Sequence, residues 1–176
     1  GYPRNLGFKV KGKELHGFYT HYDKKSDIKS ILVRKVIDEN RESSDYKIIG
    51  SIESSKSYKT NLNYRWSEND SILMLVGIPE RESKSDNQAV EFKVFDYNYD
   101  LMYECRIELD FEDRYFNIVS YRITNSGKIL MLGSKMPNKR KGEKRDKEES
   151  NLTYYLYVYD VNKDELIEYD LGLKDK

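Results

Sequence analysis

The sequence predicts an all-β chain made of three four-stranded antiparallel meander repeats. Three observations carry that expectation. Apolar and polar residues alternate with period two in several windows, an internal repeat recurs after 57 residues, and a turn-forming motif appears three times. Composition agrees. Alanine occurs once (Ala89) and glutamine once (Gln88), while tyrosine occurs 16 times. The chain therefore lacks the usual filler of helical surfaces and is rich in side chains that suit a pleated sheet.

The first repeat, about residues 1–57, begins with Phe8-Lys9-Val10, turns at Lys11-Gly12-Lys13 and continues from Leu15 to Tyr19. Its strands are expected near 5–10, 14–20, 30–37 and 46–52. The second, about 58–112, places strands near 60–66, 71–77, 89–96 and 101–109. Here the period is clearest: Leu101, Tyr103, Cys105, Ile107 and Leu109 alternate with Met102, Glu104, Arg106 and Glu108. The third, about 113–176, places strands near 115–123, 128–134, 152–160 and 165–170. Tyr155, Tyr157 and Tyr159 alternate there with Leu156 and Val158, so that strand is apolar on both sides and is expected inside its sheet.

The repeat is visible as Tyr64-Arg65-Trp66-Ser67-Glu68-Asn69-Asp70-Ser71-Ile72-Leu73-Met74-Leu75 against Tyr121-Arg122-Ile123-Thr124-Asn125-Ser126-Gly127-Lys128-Ile129-Leu130-Met131-Leu132. Six of the twelve positions are identical, the Tyr-Arg pair and the Ile-Leu-Met-Leu run, and both copies read as strand, tight turn, strand. The second motif is apolar-Asp-x-Asn-x-acid, at Ile37 to Glu42, Phe95 to Asp100 and Tyr159 to Asp164, where the closing hairpin of each repeat belongs.

Four-stranded meanders repeated head to tail are the signature of β-propeller blades. The third repeat, with Ile118 to Ile123, the Thr124-Asn125-Ser126-Gly127-Lys128 turn, Ile129 to Leu132 and Tyr157-Val158-Tyr159-Asp160, resembles a blade of the NHL-type, six-bladed propeller proteins. That resemblance implies a partial propeller, since three blades do not close a ring that needs about four to eight. A β-sandwich built from the same meanders is the alternative fold.

Composition also bounds function. Lys plus Arg and Asp plus Glu stand at 31 each, so the chain has no overall basic excess for nucleic acid. No run approaches the ~18 apolar residues of a membrane-spanning helix. One cysteine, Cys105, excludes an internal disulfide framework, and its place on an alternating apolar face predicts a core thiol. Position 1 is glycine, and the expectation is that a signal peptide, a tag or more of the fold precedes it. From this and the propeller likeness follows the expectation of a periplasmic, cell-surface or secreted location.

Four groups of residues are candidates for chemistry. Asp96/Asn98/Asp100 and Asp160/Asn162/Asp164 match the opening of a calcium loop, but its sixth positions hold Leu101 and Glu165 and its twelfth Ile107 and Leu171, so hairpin chemistry is expected instead. His16 and His21, the only histidines, are expected exposed or half-buried and on opposite faces of one strand, not as metal ligands. Lys135 to Asn151, with seven Lys or Arg and four Asp or Glu, reads as a solvated insertion. Trp66, Tyr64, Arg65, Tyr121 and Arg122 form the one candidate ligand-binding set, an aromatic and guanidinium surface able to stack on a sugar or a peptide side chain. Against it, Trp66 has Ile123 as its repeat equivalent, which favours a core position.

No catalytic residue, metal ligand or cofactor is assigned. The expected function is a non-enzymatic interaction or scaffold module, part of a larger envelope or secreted assembly, that meets a protein partner or a second copy through exposed strand edges. The alternative is a propeller that binds a glycan or small ligand. A propeller hydrolase using two of the scattered carboxylates is the third reading.

Overall fold

A computed structural model describes residues 2–37, 43–53, 61–79, 87–112, 116–135 and 152–174. These residues hold twelve strands and no helix. They are β1 (Arg4–Lys11), β2 (Glu14–Asp23), β3 (Ile28–Ile37), β4 (Lys47–Glu53), β5 (Asn61–Trp66), β6 (Leu73–Ile78), β7 (Asn87–Phe95), β8 (Leu101–Glu112), β9 (Phe116–Ile123), β10 (Ile129–Lys135), β11 (Thr153–Asp160) and β12 (Glu165–Lys174).

The strands form three four-stranded sheets, ordered β1-β2-β3-β4, β5-β6-β7-β8 and β9-β10-β11-β12. Every neighbouring pair is antiparallel, so each sheet is a meander, as expected of propeller blades. β11 lies inside its sheet, as its two-sided apolar character requires. β5 lies against β3 of the first sheet and β9 of the third, so the second sheet is the middle of the stack.

Two apolar layers hold the stack together. Phe18, Ile31, Val33, Ile49 and Ile52 of the first sheet meet Leu62, Leu73, Leu75, Phe95 and Tyr99 of the second. On its other side, the second sheet packs Met74, Val76, Val90, Phe92, Val94, Ile107 and Leu109 against Ile123, Ile129, Met131, Tyr157 and Tyr159 of the third. β6 is thus covered on both faces, with Leu73 and Leu75 pointing one way and Met74 and Val76 the other.

The structure corrects the repeat at one point. Trp66 pairs with Leu73, which leaves residues 67–72 in the turn, whereas Ile123 pairs with Ile129 and leaves only 124–128. The two turns are equivalent as far as Asp70 and Gly127, both at positive φ (60° and 85°) and both bonded back, to the Ser67 and Thr124 carbonyls. Ser71 is then an extra residue. Past the turn Leu73 corresponds to Ile129, Leu75 to Met131 and Gly77 to Gly133, so the two Ile-Leu-Met-Leu runs are out of register by one. A slip of one residue exchanges faces: Leu73 points at the first sheet, while Leu130 points away from the second.

The Asp-x-Asn motifs are turns. The Asp96 carboxylate accepts the backbone N–H of Asn98 (2.8 Å) and Asp100 (2.9 Å). Asp160 accepts the N–H of Asn162 (3.1 Å) and an ion pair from Lys128 (2.8 Å), which together hold its carboxyl below its ordinary range. The copy at residues 38–42 and most of the Lys135–Asn151 insertion lie outside the described residues.

Candidate functional site

The sheet order makes β1, β5 and β9 the first-edge strands of their sheets; β5 lies against β9, and β1 reaches β5 through Gly7 beside Tyr64 and Lys9 over Trp66. A cleft of about 290 Å³ opens here, lined by Leu6, Asn63, Tyr64, Arg65 and Trp66. Leu6 reaches it because the ladder between β1 and β2 skips a residue between Asn5 and Gly7. Gly7, at φ 155°, leaves room for the Tyr64 hydroxyl, which a Cβ there would meet at 2.7 Å.

Aromatic packing fixes the cleft wall. Tyr64 stacks on buried Phe18 (centroids 4.7 Å apart, 20° between planes). The Trp66 ring meets Phe18 edge-on at 6.2 Å and Tyr99 at 6.2 Å. Such arrangements suit the ring quadrupoles and leave little rotational freedom. Lys9 sits 5.5 Å over the Trp66 ring and pairs with Asp70. The indole N–H of Trp66 is buried and finds no acceptor among the described residues.

Of the candidate ligand contacts, Tyr64, Arg65 and Trp66 line this cleft together. Tyr121 joins them from the neighbouring strand, since the Arg65 guanidinium lies 5.3 Å over its ring while donating to the Tyr64 carbonyl at 2.9 Å. Arg122 does not. It is exposed, and its pairing with Leu130 puts it on the face of the third sheet turned away from the second. Trp66 is half-buried, sharing the apolar layer between sheets with the cleft wall.

A second polar group between the first two sheets has no sequence signature. His16, expected exposed or half-buried, is instead buried at 9 % exposure, because its strand turns this side chain into the seam. Its Nε2 lies 2.9 Å from Glu14 and its Nδ1 3.1 Å from the Tyr99 hydroxyl. A carboxylate only accepts, so Nε2 donates to Glu14, while Nδ1 and the phenol share the second hydrogen bond. Tyr99 takes this place at φ 66°, with its hydroxyl pushed well above the ordinary phenol range by burial. Lys11 lies 4.2 Å over the Tyr99 ring. The line Glu14–His16–Tyr99 ties two sheets together. Its members are up to 85 residues apart, and only the fold brings them together.

Cys105 is half-buried beside the second apolar layer, its thiol pushed up to about 11 by burial. Few thiolates form there at neutral pH, which makes it a poor nucleophile.

The outermost faces of the stack differ from those inside it. On the first sheet, the register sets Phe8, Val10, Leu15, Tyr19, Leu32 and Ile48 on the side away from the second sheet. Phe8 is 57 % exposed, Val10 67 % and Ile48 62 %. On the third sheet, Leu130, Val158 and Ile167 form one outward row and Leu132, Leu156 and Tyr169 the next. All six are half-buried or exposed.

No family model matches the chain, and no curated protein matches it. Among solved structures it is similar to the open-velcro β-propeller domain of the trilobed protease from Pyrococcus furiosus, at 13% identity over 99% of this chain and 58% of that one, with a TM-score of 0.40. It is also similar to an acylaminoacyl peptidase from Pyrococcus horikoshii, at 11% identity over 98% of this chain and 33% of that one, with a TM-score of 0.35. The chain spans less than two thirds of the length of either.

Proposed function

We propose that this chain is a non-catalytic protein-interaction module, a run of propeller blades that works within a larger assembly. The supporting observation is the contrast in burial. The middle sheet is covered on both sides, whereas the end sheets each turn a row-by-row apolar face outward. Contiguous apolar surface of that kind marks association sites on folded proteins. The test is a photoreactive residue placed at Ile48, at Val158 or, as control, at the exposed turn residue Asn162. The face positions should form adducts with a polypeptide and the control should not. Adducts at the face no more abundant than at Asn162 would contradict the reading. A place in an NHL-type propeller of an envelope or secreted assembly belongs to the same proposal.

A second reading rests on the cleft. Aromatic walls and a guanidinium suit a sugar ring or small planar ligand. Trp66 is the only tryptophan, so its fluorescence reports on this cleft alone. Titration with a panel of oligosaccharides should give a saturable change that Arg65→Ala weakens. An emission spectrum unmoved by the whole panel would remove the reading.

A further inference from the structure

We infer that the outward face of the third sheet receives the outward face of the first sheet of a second copy, so that two chains close one ring. This rests on the interaction reading above and names its partner.

Past the turn, Met74 and Val76 of β6 correspond to Leu130 and Leu132 of β10. In the second sheet these positions are the surface on which the third sheet packs, with Met74 at 0% and Val76 at 1% exposure. In the third sheet the same positions stay apolar, joined by Val158, Ile167, Leu156 and Tyr169, and among the described residues nothing packs on them. The chemistry that receives a neighbouring sheet is present on this face.

The first sheet shows the converse. Its outward side corresponds to the side of the second sheet that holds Leu73 and Leu75 against the first. It offers Ile48 and Tyr19 on either side of Leu32, itself only 7% exposed, in one cross-strand row, with Tyr46 edge-on to Tyr19 at 5.2 Å and Arg34 5.1 Å over the Tyr46 ring. The two end faces are therefore unlike each other and stand in the relation of successive sheets inside the stack. Joining them between copies continues the interface already built twice within one chain.

Head-to-tail contacts either close into rings or run on as filaments. Closed propellers hold about four to eight blades, so two copies of three sheets fit and three copies do not. Size is adequate as well. Four strands ~4.8 Å apart and ~7 residues of ~3.3 Å each give a face of roughly 450 Å². The four faces covered in a two-chain ring then amount to roughly 1,800 Å², inside the range of stable protein interfaces. A chain with 31 charges of each sign brings no net repulsion to the encounter.

The test is solution mass by light scattering over a concentration series, for the chain and for Ile48→Lys and Val158→Lys, with circular dichroism confirming that each variant keeps its sheets. The expected mass is twice the 20.9 kDa of one chain. Either lysine should return it to that of a single chain, and mixing the two variants should restore pairs, because one intact seam remains in the mixed pair. Three results would overturn the inference: a pair broken by only one variant, a pair indifferent to both, or a mass that climbs without limit. A single-chain mass also overturns it. In that case face adducts with other polypeptides leave the interaction reading standing, and their absence removes both.

Discussion

β6 and β10 are equivalent strands with different fates. β6 buries Leu73, Met74, Leu75 and Val76 to 2% exposure or less, because a sheet lies on each side of it. β10 buries Ile129 and Met131 equally well against the second sheet, yet Leu130 and Leu132, as apolar as their neighbours, are only half-buried. Side-chain chemistry is the same on both faces and cover is not. Burial therefore depends here on what packs next, and an apolar face that no other described residue covers marks a place for association.

The largest effect is expected at Phe92. It is 1% exposed in the layer between the second and third sheets, so Phe92→Ala should cost about 3–5 kcal/mol, read as a fall in the urea midpoint. Leu132→Ala, on the outward face, should cost under about 1.5 kcal/mol in the single chain, since little surface returns to water. Equal costs would erase the distinction between the faces.

Next comes Tyr99→Phe. It keeps the ring packing against His16 and Phe18 and removes the hydroxyl hydrogen-bonded to His16. A buried polar atom left without its hydrogen-bond partner costs about 1–3 kcal/mol. Urea unfolding should show that loss, and a midpoint unchanged by the substitution would mean the Glu14–His16–Tyr99 line does not hold the first two sheets together.

Acid should act on the third sheet through Asp160. Its carboxyl is held below the ordinary range chiefly by the Lys128 hydrogen bond, so the folded state binds a proton less readily than the unfolded chain. Stability from this group is complete above an unfolded value of about 4 and is lost as pH falls through the folded one. In a pH series of unfolding midpoints, Asp160→Asn should decline less steeply in acid than the parent. Parallel declines would contradict the assignment.

The smallest effect is chemical. With its thiol pushed up to about 11 from an ordinary 9.0, Cys105 carries roughly 100-fold less thiolate at a given pH. Iodoacetamide at pH 8 should label it slowly, and urea should restore the rate of a free thiol. Fast labelling of the folded chain would show that the rim of this layer is open.

Strands were legible in the sequence because period-two alternation is local. Each of the twelve expected segments overlaps an observed strand, with ends differing by a few residues. Turn chemistry was legible for the same reason: Asp96 and Asp160 make their bonds to backbone within four residues. The register past the Ser67–Ile72 turn was not. Ile72-Leu73-Met74-Leu75 is apolar at every position, so the run carries no mark of which face each residue takes, and identity with Ile129 to Leu132 suggested the wrong alignment. Three of the five candidate ligand contacts line one cleft because they are consecutive on an edge strand. Arg122 falls away from it because a strand alternates, and Tyr99 reaches His16 from 83 residues away, a contact no local pattern encodes.

In the two-chain ring proposed above, the end sheets of the stack cover each other. The most direct measurement is the thermal unfolding midpoint at chain concentrations spanning three decades. If assembly completes the fold, the midpoint rises steadily with concentration, because unfolding also releases a partner. A midpoint that stays fixed across the series would contradict the claim.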